Sequence, residues 1–191
     1  MIFLLRHGQT DFNAEGRLQG RLDSRLTELG QTQARRMAEQ LRPHIGAHPH
    51  WQMIVSPAGR TRHTAQIVRE TLGLDCEPVI EPRVAEIDVG GWEGMNREDL
   101  EREAPGVYGQ TGWLCRSPDG EDYDALAARL GAWLAEIDEA DGVGRIVVSH
   151  GIAGRVLRHI YTKAPADDLW TSPSPPQDAV FRLQGGATEQ L

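Results

Sequence analysis

Apolar residues recur along this chain in two rhythms. Short unbroken runs, MIFLL at residues 1–5, WQMIVS at 51–56 and RIVVSH at 145–150, predict buried strands. A weaker strand is expected near 76–81 and a late one, AVFRL, at 179–183. Between these runs the spacing is helical. Residues 27–42 place Ala34, Met37, Ala38 and Leu41 on one face, with Thr27 as N-cap and Pro43 as the stop. A second helix is expected to start at Ser56-Pro57, to turn Ala65, Val68 and Leu72 inward, and to close at Gly73. Residues 121–139 repeat Tyr123, Leu126, Ala127, Leu130, Trp133, Leu134 and Ile137 at helical period, and IAGRVLRHIY after the third strand reads as another helix. Strands alternating with helices predict an α/β protein, a three-layer α/β/α sandwich around a mostly parallel sheet.

Neither an internal repeat nor an interdomain linker interrupts the pattern, so a single domain over residues 1–191 is expected. The glycine- and proline-rich stretch 104–120 has weak periodicity and reads as a loop or lid, within an insert spanning about 95–122. Pro-rich 173–176 reads as another loop, and the last few residues are expected to fray.

Composition narrows the function classes. Hydrophobic residues make up 39% and charged residues 25%, an ordinary globular balance. No apolar stretch approaches a membrane span. The opening run meets Arg6 too early for a signal peptide and lacks a basic leader, so a soluble, cytoplasmic protein is expected. A net charge of −8 argues against nucleic-acid and anionic-membrane partners. It leaves room for a small anionic substrate, because a pocket can be positive inside an acidic protein. Cys76 and Cys115 have no metal-ligand spacing and are expected as free thiols rather than a disulfide. His44, His48 and His50 form a tempting cluster. Gly46 and Pro49 deny them a helical face, and the run holds no cysteine or acid, so no metal site is expected there. His63 reads as structural.

Chemistry concentrates where strands run out. In α/β sheets, ligands bind beyond the carboxyl ends of the strands. Three strands end in Arg6-His7-Gly8, in Ser56 with Arg60 one helical turn on, and in Ser149-His150-Gly151. If these strands are parallel neighbours, His7, Arg60 and His150 converge. Such a cationic cluster suits a phosphate dianion. The glycines after both histidines let the backbone come close and offer N–H groups.

The same residues carry a family resemblance. LLRHGQTDFN resembles the signature of the histidine phosphatase (phosphoglycerate mutase-like) superfamily. LQGRLDSRLTELG at 18–30, SPAGRTRHTA at 56–65, AEIDVGGWEG at 85–94 and VVSHG at 147–151 resemble its further motifs, in order. The resemblance implies the phosphoglycerate mutase-like fold and a metal-independent, cofactor-free phosphomonoester hydrolase acting through a phosphohistidine. It implies His7 as nucleophile, Arg6, Arg60 and His150 as holders of the phosphate oxygens, and Glu86 as proton donor. Asn13, Gln19, Gly20 and Gly151 would complete the substrate pocket. By spacing alone Asp88 and Glu93 compete with Glu86 for the acid; the resemblance favours Glu86. Gly120-Glu121-Asp122 resembles a family loop and reads equally well as a helix N-terminus. Ile152 stands where the family often has a second glycine, and Gln177-Asp178-Ala179 where many members carry an asparagine before the final strand.

The expected substrate is a small phosphorylated metabolite, with a homodimer as the assembly to test. Specificity is expected from about 95–122 and from 164–178. Two alternatives accompany this reading. A phosphoglycerate mutase is disfavoured because family mutases carry extra shielding segments, and Glu86 and His150 are only 64 positions apart. A non-catalytic phosphate-binding module is disfavoured because both His7 and Glu86 are present.

Overall fold

A computed structural model describes residues 1–46, 50–165, 168–171 and 176–191. Its sheet contains β1 (Ile2–Arg6), β2 (His50–Val55), β3 (Val79–Ile80), β4 (Val143–Ser149), β5 (Val180–Gln184) and β6 (Ala187–Gln190). They lie side by side as β3-β2-β4-β1-β5-β6, parallel from β3 through β1 and antiparallel at β5 and β6. The helices are α1 (Asp11–Ala14), α2 (Glu28–Ile45), α3 (Gly59–Leu72), α4 (Arg97–Glu103), α5 (Tyr123–Ala135), α6 (Gly151–Thr162) and α7 (Asp168–Thr171).

Strand alternation divides the core into the expected layers. Phe3, Leu5, Met53, Val55, Ile146 and Val148 pack on one face against α2 and α3. Ile2, Leu4, Ile54 and Val147 pack on the other against α5 and α6. Successive residues of one strand point to opposite faces, so an unbroken apolar run is what a sheet covered on both sides requires. Among the described residues, no helix is long and apolar enough to cross a membrane.

Several boundaries differ from expectation. Helix α2 runs through Pro43 to Ile45. Proline's φ suits a helix, and its missing N–H removes one bond in a last turn that has only two residues left. Helix α3 starts at Gly59 with Ala58 as N-cap, not at Ser56-Pro57. The Ser56 hydroxyl is instead committed to His150, 2.6 Å away, and Asp23 caps the helix from a distant loop. The strand expected near 76–81 shrinks to Val79–Ile80, both exposed. The helix expected over 121–139 is shorter, from the N-cap Asp122 to Ala135. The C-terminus does not fray: Gly185 and Gly186, both at positive φ, turn β5 back into β6.

The stretch 95–122 is more ordered than a loop. Helix α4 opens with a capping box, Asn96 with Asp99. Leu100, Ala104 and Trp92 are buried together, with Leu18, Met95, Val107, Tyr108 and Trp113 packed on them. This satellite cluster adjoins the α5/α6-side cluster through Leu18, which packs on both. Both cysteines are free thiols. His44 packs against Phe3, with ring centroids 5.3 Å apart, while His50 starts β2 and is exposed. His48 and residues 173–175 of the Pro-rich loop lie outside the described residues.

Candidate active site

Three parallel strands deliver the site. Arg6 of β1 pairs with Ser149 of β4, and Val55 of β2 pairs with Val148 of β4. The next backbone bonds, His7 N to Ser149 O and Ser56 N to Val148 O, carry the ladder one step further, both at 3.1 Å. His7, Ser56 and His150 therefore leave the sheet at one edge. A cavity of about 210 Å³ opens there, and Arg6, His7, Arg60, Glu86, His150 and Gly151 all line it.

His7 is buried, and its ring is fixed by a local bond. Nδ1 lies 2.8 Å from the carbonyl oxygen of Gly8. A carbonyl only accepts, so Nδ1 carries the proton and Nε2 keeps the lone pair. Gly8 serves packing more than phosphate binding. A Cβ there would collide with the backbone of Gly30 at the start of α2, and the Gly8 N–H is taken by Thr64 Oγ1 at 3.2 Å.

His150 stands beside His7, with ring centroids 5.2 Å apart. Its Nε2 lies 2.6 Å from Ser56 Oγ, and its buried Nδ1 has no partner among the described residues. If the serine hydroxyl donates to Nε2, Nδ1–H remains as a donor for a ligand. Arg6 is the second free donor: its guanidinium lies against Gly151, and its buried Nε has no partner.

Arg60 lines the cavity and also has structural partners. Its Nη1 donates to Leu22 O at 2.6 Å and to Asp23 Oδ1 at 3.1 Å, and its Nη2 donates to Gly20 O at 2.9 Å. It thus straps residues 20–23 over the site, and Nε is left without a partner. Its charge still faces the cavity.

Glu86 accepts backbone donors at the start of α6. Its Oε2 accepts from Gly151 N at 3.0 Å and from Ile152 N at 3.2 Å. Its Oε1 accepts from Ala153 N at 2.9 Å and from Ile87 N at 3.0 Å. Three of these donors are the first N–H groups of α6, whose N-cap His150 makes no side-chain cap. The carboxylate is the cap, supplied from another loop. The Gly151 N–H, expected to hold phosphate, is therefore engaged by Glu86 in this conformation. The competing acids have other partners: Asp88 accepts from Gly90 N within a turn, and Glu93 accepts from Arg21 N, 72 positions away.

One residue behind Glu86 escaped the sequence reading. Arg129 of α5 donates to the carbonyls of Arg83, Ala85 and Glu86, at 2.6, 2.9 and 3.0 Å, and pairs with Glu121 at 2.6 Å. Both side chains are largely buried. Glu121 is the middle residue of Gly120-Glu121-Asp122: Asp122 caps α5, and Glu121 pins the arginine that holds the 83–86 segment. Arg129 is a positioning residue. Arg129→Leu is expected to lower kcat on the order of 10²-fold, because small displacements of a reacting group are costly. Arg129→Lys should recover part of the loss, and KM should move much less; a variant altered only in KM would contradict this role.

The pocket residues inferred from the resemblance line the same space. Asn13 Oδ1 accepts from Thr10 N and from Gln177 Nε2, at 3.2 and 2.9 Å. Gln177, in the segment that lacks the family asparagine, thus touches the site through Asn13. Gln19 is held between Thr10 and Ser24, and Gly20 gives its carbonyl to Arg60. His63 is exposed on α3, away from the cavity. Among the described residues, no group of three or more His, Cys, Asp or Glu could hold a metal ion.

Burial, then Arg6 and Arg60, hold the His7 imidazole well below the usual histidine range. Burial, then His7 and both arginines, do the same to His150. Both rings are therefore neutral near pH 7. On acidification the unfolded chain takes up two protons that the folded chain refuses. Stability should fall as pH drops below about 6.5, by up to about 1.4 kcal/mol per histidine per unit. Denaturant melts at pH 7.5 and 5.5 check this. His7→Asn should lessen the acid-dependent loss; an unchanged pH dependence in that variant would contradict the linkage.

The family model of the histidine phosphatase superfamily, branch 1, matches residues 2–185. A protein of Enterobacter sp. (strain 638), named probable phosphoglycerate mutase GpmB, is 39% identical over 80% of this chain and 70% of its own. YhfR of Bacillus stearothermophilus superposes with a TM-score of 0.82 at 29% identity, over 99% of this chain and 94% of its own. A mycobacterial glucosyl-3-phosphoglycerate phosphatase superposes with a TM-score of 0.76 at 29% identity, over 94% of this chain and 88% of its own.

Proposed function

Because this chain belongs to branch 1 of the histidine phosphatase superfamily, we propose that it hydrolyses a small phosphomonoester through a phosphohistidine on His7. The observation that carries this reading is the His7 ring. Its Nδ1 is tied to the Gly8 carbonyl, so Nε2 meets the cavity as a neutral nucleophile beside Arg6, whose buried Nε has no partner among the described residues.

In the proposed first step, the Nε2 lone pair forms the bond to phosphorus and the phosphorus–oxygen ester bond breaks. Arg6, the Arg60 charge and His150 Nδ1–H balance the equatorial oxygens. The leaving oxygen takes the proton of a protonated Glu86 carboxyl, which becomes the carboxylate that serves the second step. A phosphoryl dianion entering beside that carboxylate also competes for the Gly151 N–H, so acid service requires Glu86 to loosen its hold on α6. In the second step water attacks the phosphohistidine, Glu86 accepts the water's proton, and inorganic phosphate leaves with Nε2 restored.

The arginines and the histidine donor supply the charge neutralisation from the chain's own residues. The segment 95–122 contributes Leu114 to the cavity wall and acts as the lid in this reading. A cytoplasmic setting fits a small phosphorylated metabolite as substrate.

The mutase reading draws support from the Enterobacter relative's name. Incubation with a phosphoglycerate in the presence of bisphosphoglycerate separates the two. Release of inorganic phosphate supports the hydrolase, and isomerisation without net phosphate release replaces it by the mutase.

A further inference from the structure

Two neutral imidazoles stand side by side in the cavity, and their hydrogen-bond partners differ in kind. His7 Nδ1 is bound to the Gly8 carbonyl, which only accepts, so Nε2 is left as a lone pair. His150 is held from the other nitrogen. Its Nε2 lies 2.6 Å from Ser56 Oγ, and its buried Nδ1 has no partner among the described residues. Which nitrogen of His150 carries the proton is set by what Nε2 meets.

Ser56 is fully buried, and its backbone is fixed from both sides. Its N–H donates to Val148 O at 3.1 Å in the sheet ladder, and its carbonyl accepts from Thr61 Oγ1 at 2.8 Å. Among the described residues, its hydroxyl meets no hydrogen-bond partner besides His150. The hydrogen count then separates two tautomers. With the proton on Nε2, the ring would donate to Oγ, and the hydroxyl hydrogen would be buried without an acceptor. Nδ1 would also aim a lone pair at an incoming anion. With the proton on Nδ1, the hydroxyl donates to Nε2 and is satisfied. Nδ1–H is then left as a donor, the group a phosphoryl oxygen needs. Arg6 and Arg60 act on this ring from the cavity and pull the other way, because a lone pair on Nδ1 suits their charge. The serine opposes them.

Resting on the phosphoryl site proposed above, we infer that Ser56 is a positioning residue whose hydroxyl donates to His150 Nε2 and holds His150 as the Nδ1–H tautomer. One histidine then attacks phosphorus while its neighbour holds an oxygen. Ser56 itself does not line the cavity and acts through the ring.

Nitrogen-15 NMR of protein labelled at histidine reads the tautomer near pH 7, with the His150 signals identified by their loss in His150→Ala. In the unaltered protein Nδ1 should be protonated and Nε2 bare. Ser56→Ala should move His150 toward the Nε2–H form. The same variant should weaken inorganic phosphate, measured by calorimetry, and lower kcat/KM for p-nitrophenyl phosphate. Each loss should be about 10–100-fold, the worth of one hydrogen bond to a charged group. His150→Ala should cause a similar loss, and adding Ser56→Ala to it should cost little more. A merely structural role would give additive losses and leave the tautomer alone. An Nε2–H tautomer in the unaltered protein overturns the inference, whether or not Ser56→Ala folds. An unchanged tautomer in Ser56→Ala, or additivity with His150→Ala, overturns it as well. Failure to trap phosphate on His7, with the serine-dependent tautomer and phosphate binding intact, would remove the hydrolase and leave Ser56 in its role.

Discussion

His7→Ala is expected to lower turnover by about 10⁴–10⁶-fold, the range seen when a nucleophile is removed from a site whose other parts remain. The loss is this large because nothing nearby can replace the ring. His150 is its neighbour, but Nε2 of His150 is engaged with Ser56. The neutral state of His7 is built in by burial and by Arg6 and Arg60, so in the proposed reaction the residue would attack without first losing a proton at pH 7. Quenched turnover of the unaltered protein should trap protein-bound phosphate that is labile in acid and stable in base. The variant should trap none. An equal yield of that species from His7→Ala would refute the assignment.

Glu86→Gln is expected to separate substrates by their leaving groups. Alkyl phosphates leave as strongly basic alkoxides and need the proton during cleavage; p-nitrophenyl phosphate leaves as a stabilised phenolate and needs it far less. General acid catalysis is worth about 10²–10⁴-fold, so phosphoryl transfer from an alkyl ester should fall by that order and transfer from the aryl ester by much less. Single-turnover formation of phospho-His7 is the proper readout, because the same residue serves the water step. The structure adds a second consequence. Glu86 caps α6 with both oxygens, and glutamine offers only one acceptor. A stability loss of about 1 kcal/mol, typical of a lost cap, should accompany the variant. That loss acts on both substrates alike and leaves their ratio intact. Equal damage to both would remove Glu86 from the acid role.

The strands, the layers and most of the site were legible in the sequence because they rest on local pattern. MIFLL and RIVVSH are buried on both faces, and a strand that ends in Arg-His or Ser-His must place those groups at the sheet edge. What escaped depends on partners far away in the chain. Ser56 reads as a helix cap until His150, 94 positions on, claims its hydroxyl. Asp23 carries no sign that it caps a helix starting at Gly59. Arg129 looks like one more polar residue on an amphipathic helix, and only the folded loop at 83–86 reveals what it holds. Gln177 gave no signal except its place just before β5. The Gly185-Gly186 pair was a readable hairpin signal, and β6 could have been predicted from it. Helix α4 also had a readable start in Asn96 and Asp99, obscured by the glycines that follow.

The strap made by Arg60 and Asp23 ties two parts of the molecule into one cooperative unit. Arg60 holds three positions of the 20–23 segment, and Asp23 returns two bonds to the first turn of α3, from Gly59 N and Arg60 N. Neither side can open while the other stays closed without stranding a buried guanidinium. The rim that greets the substrate therefore breathes with a core helix and not with the surface loops around it, and its opening free energy is drawn from the stable end of the local-unfolding spectrum. In the proposed reaction, substrate would enter past a rigid rim on this side, with Leu114 of the 95–122 segment lining the same cavity.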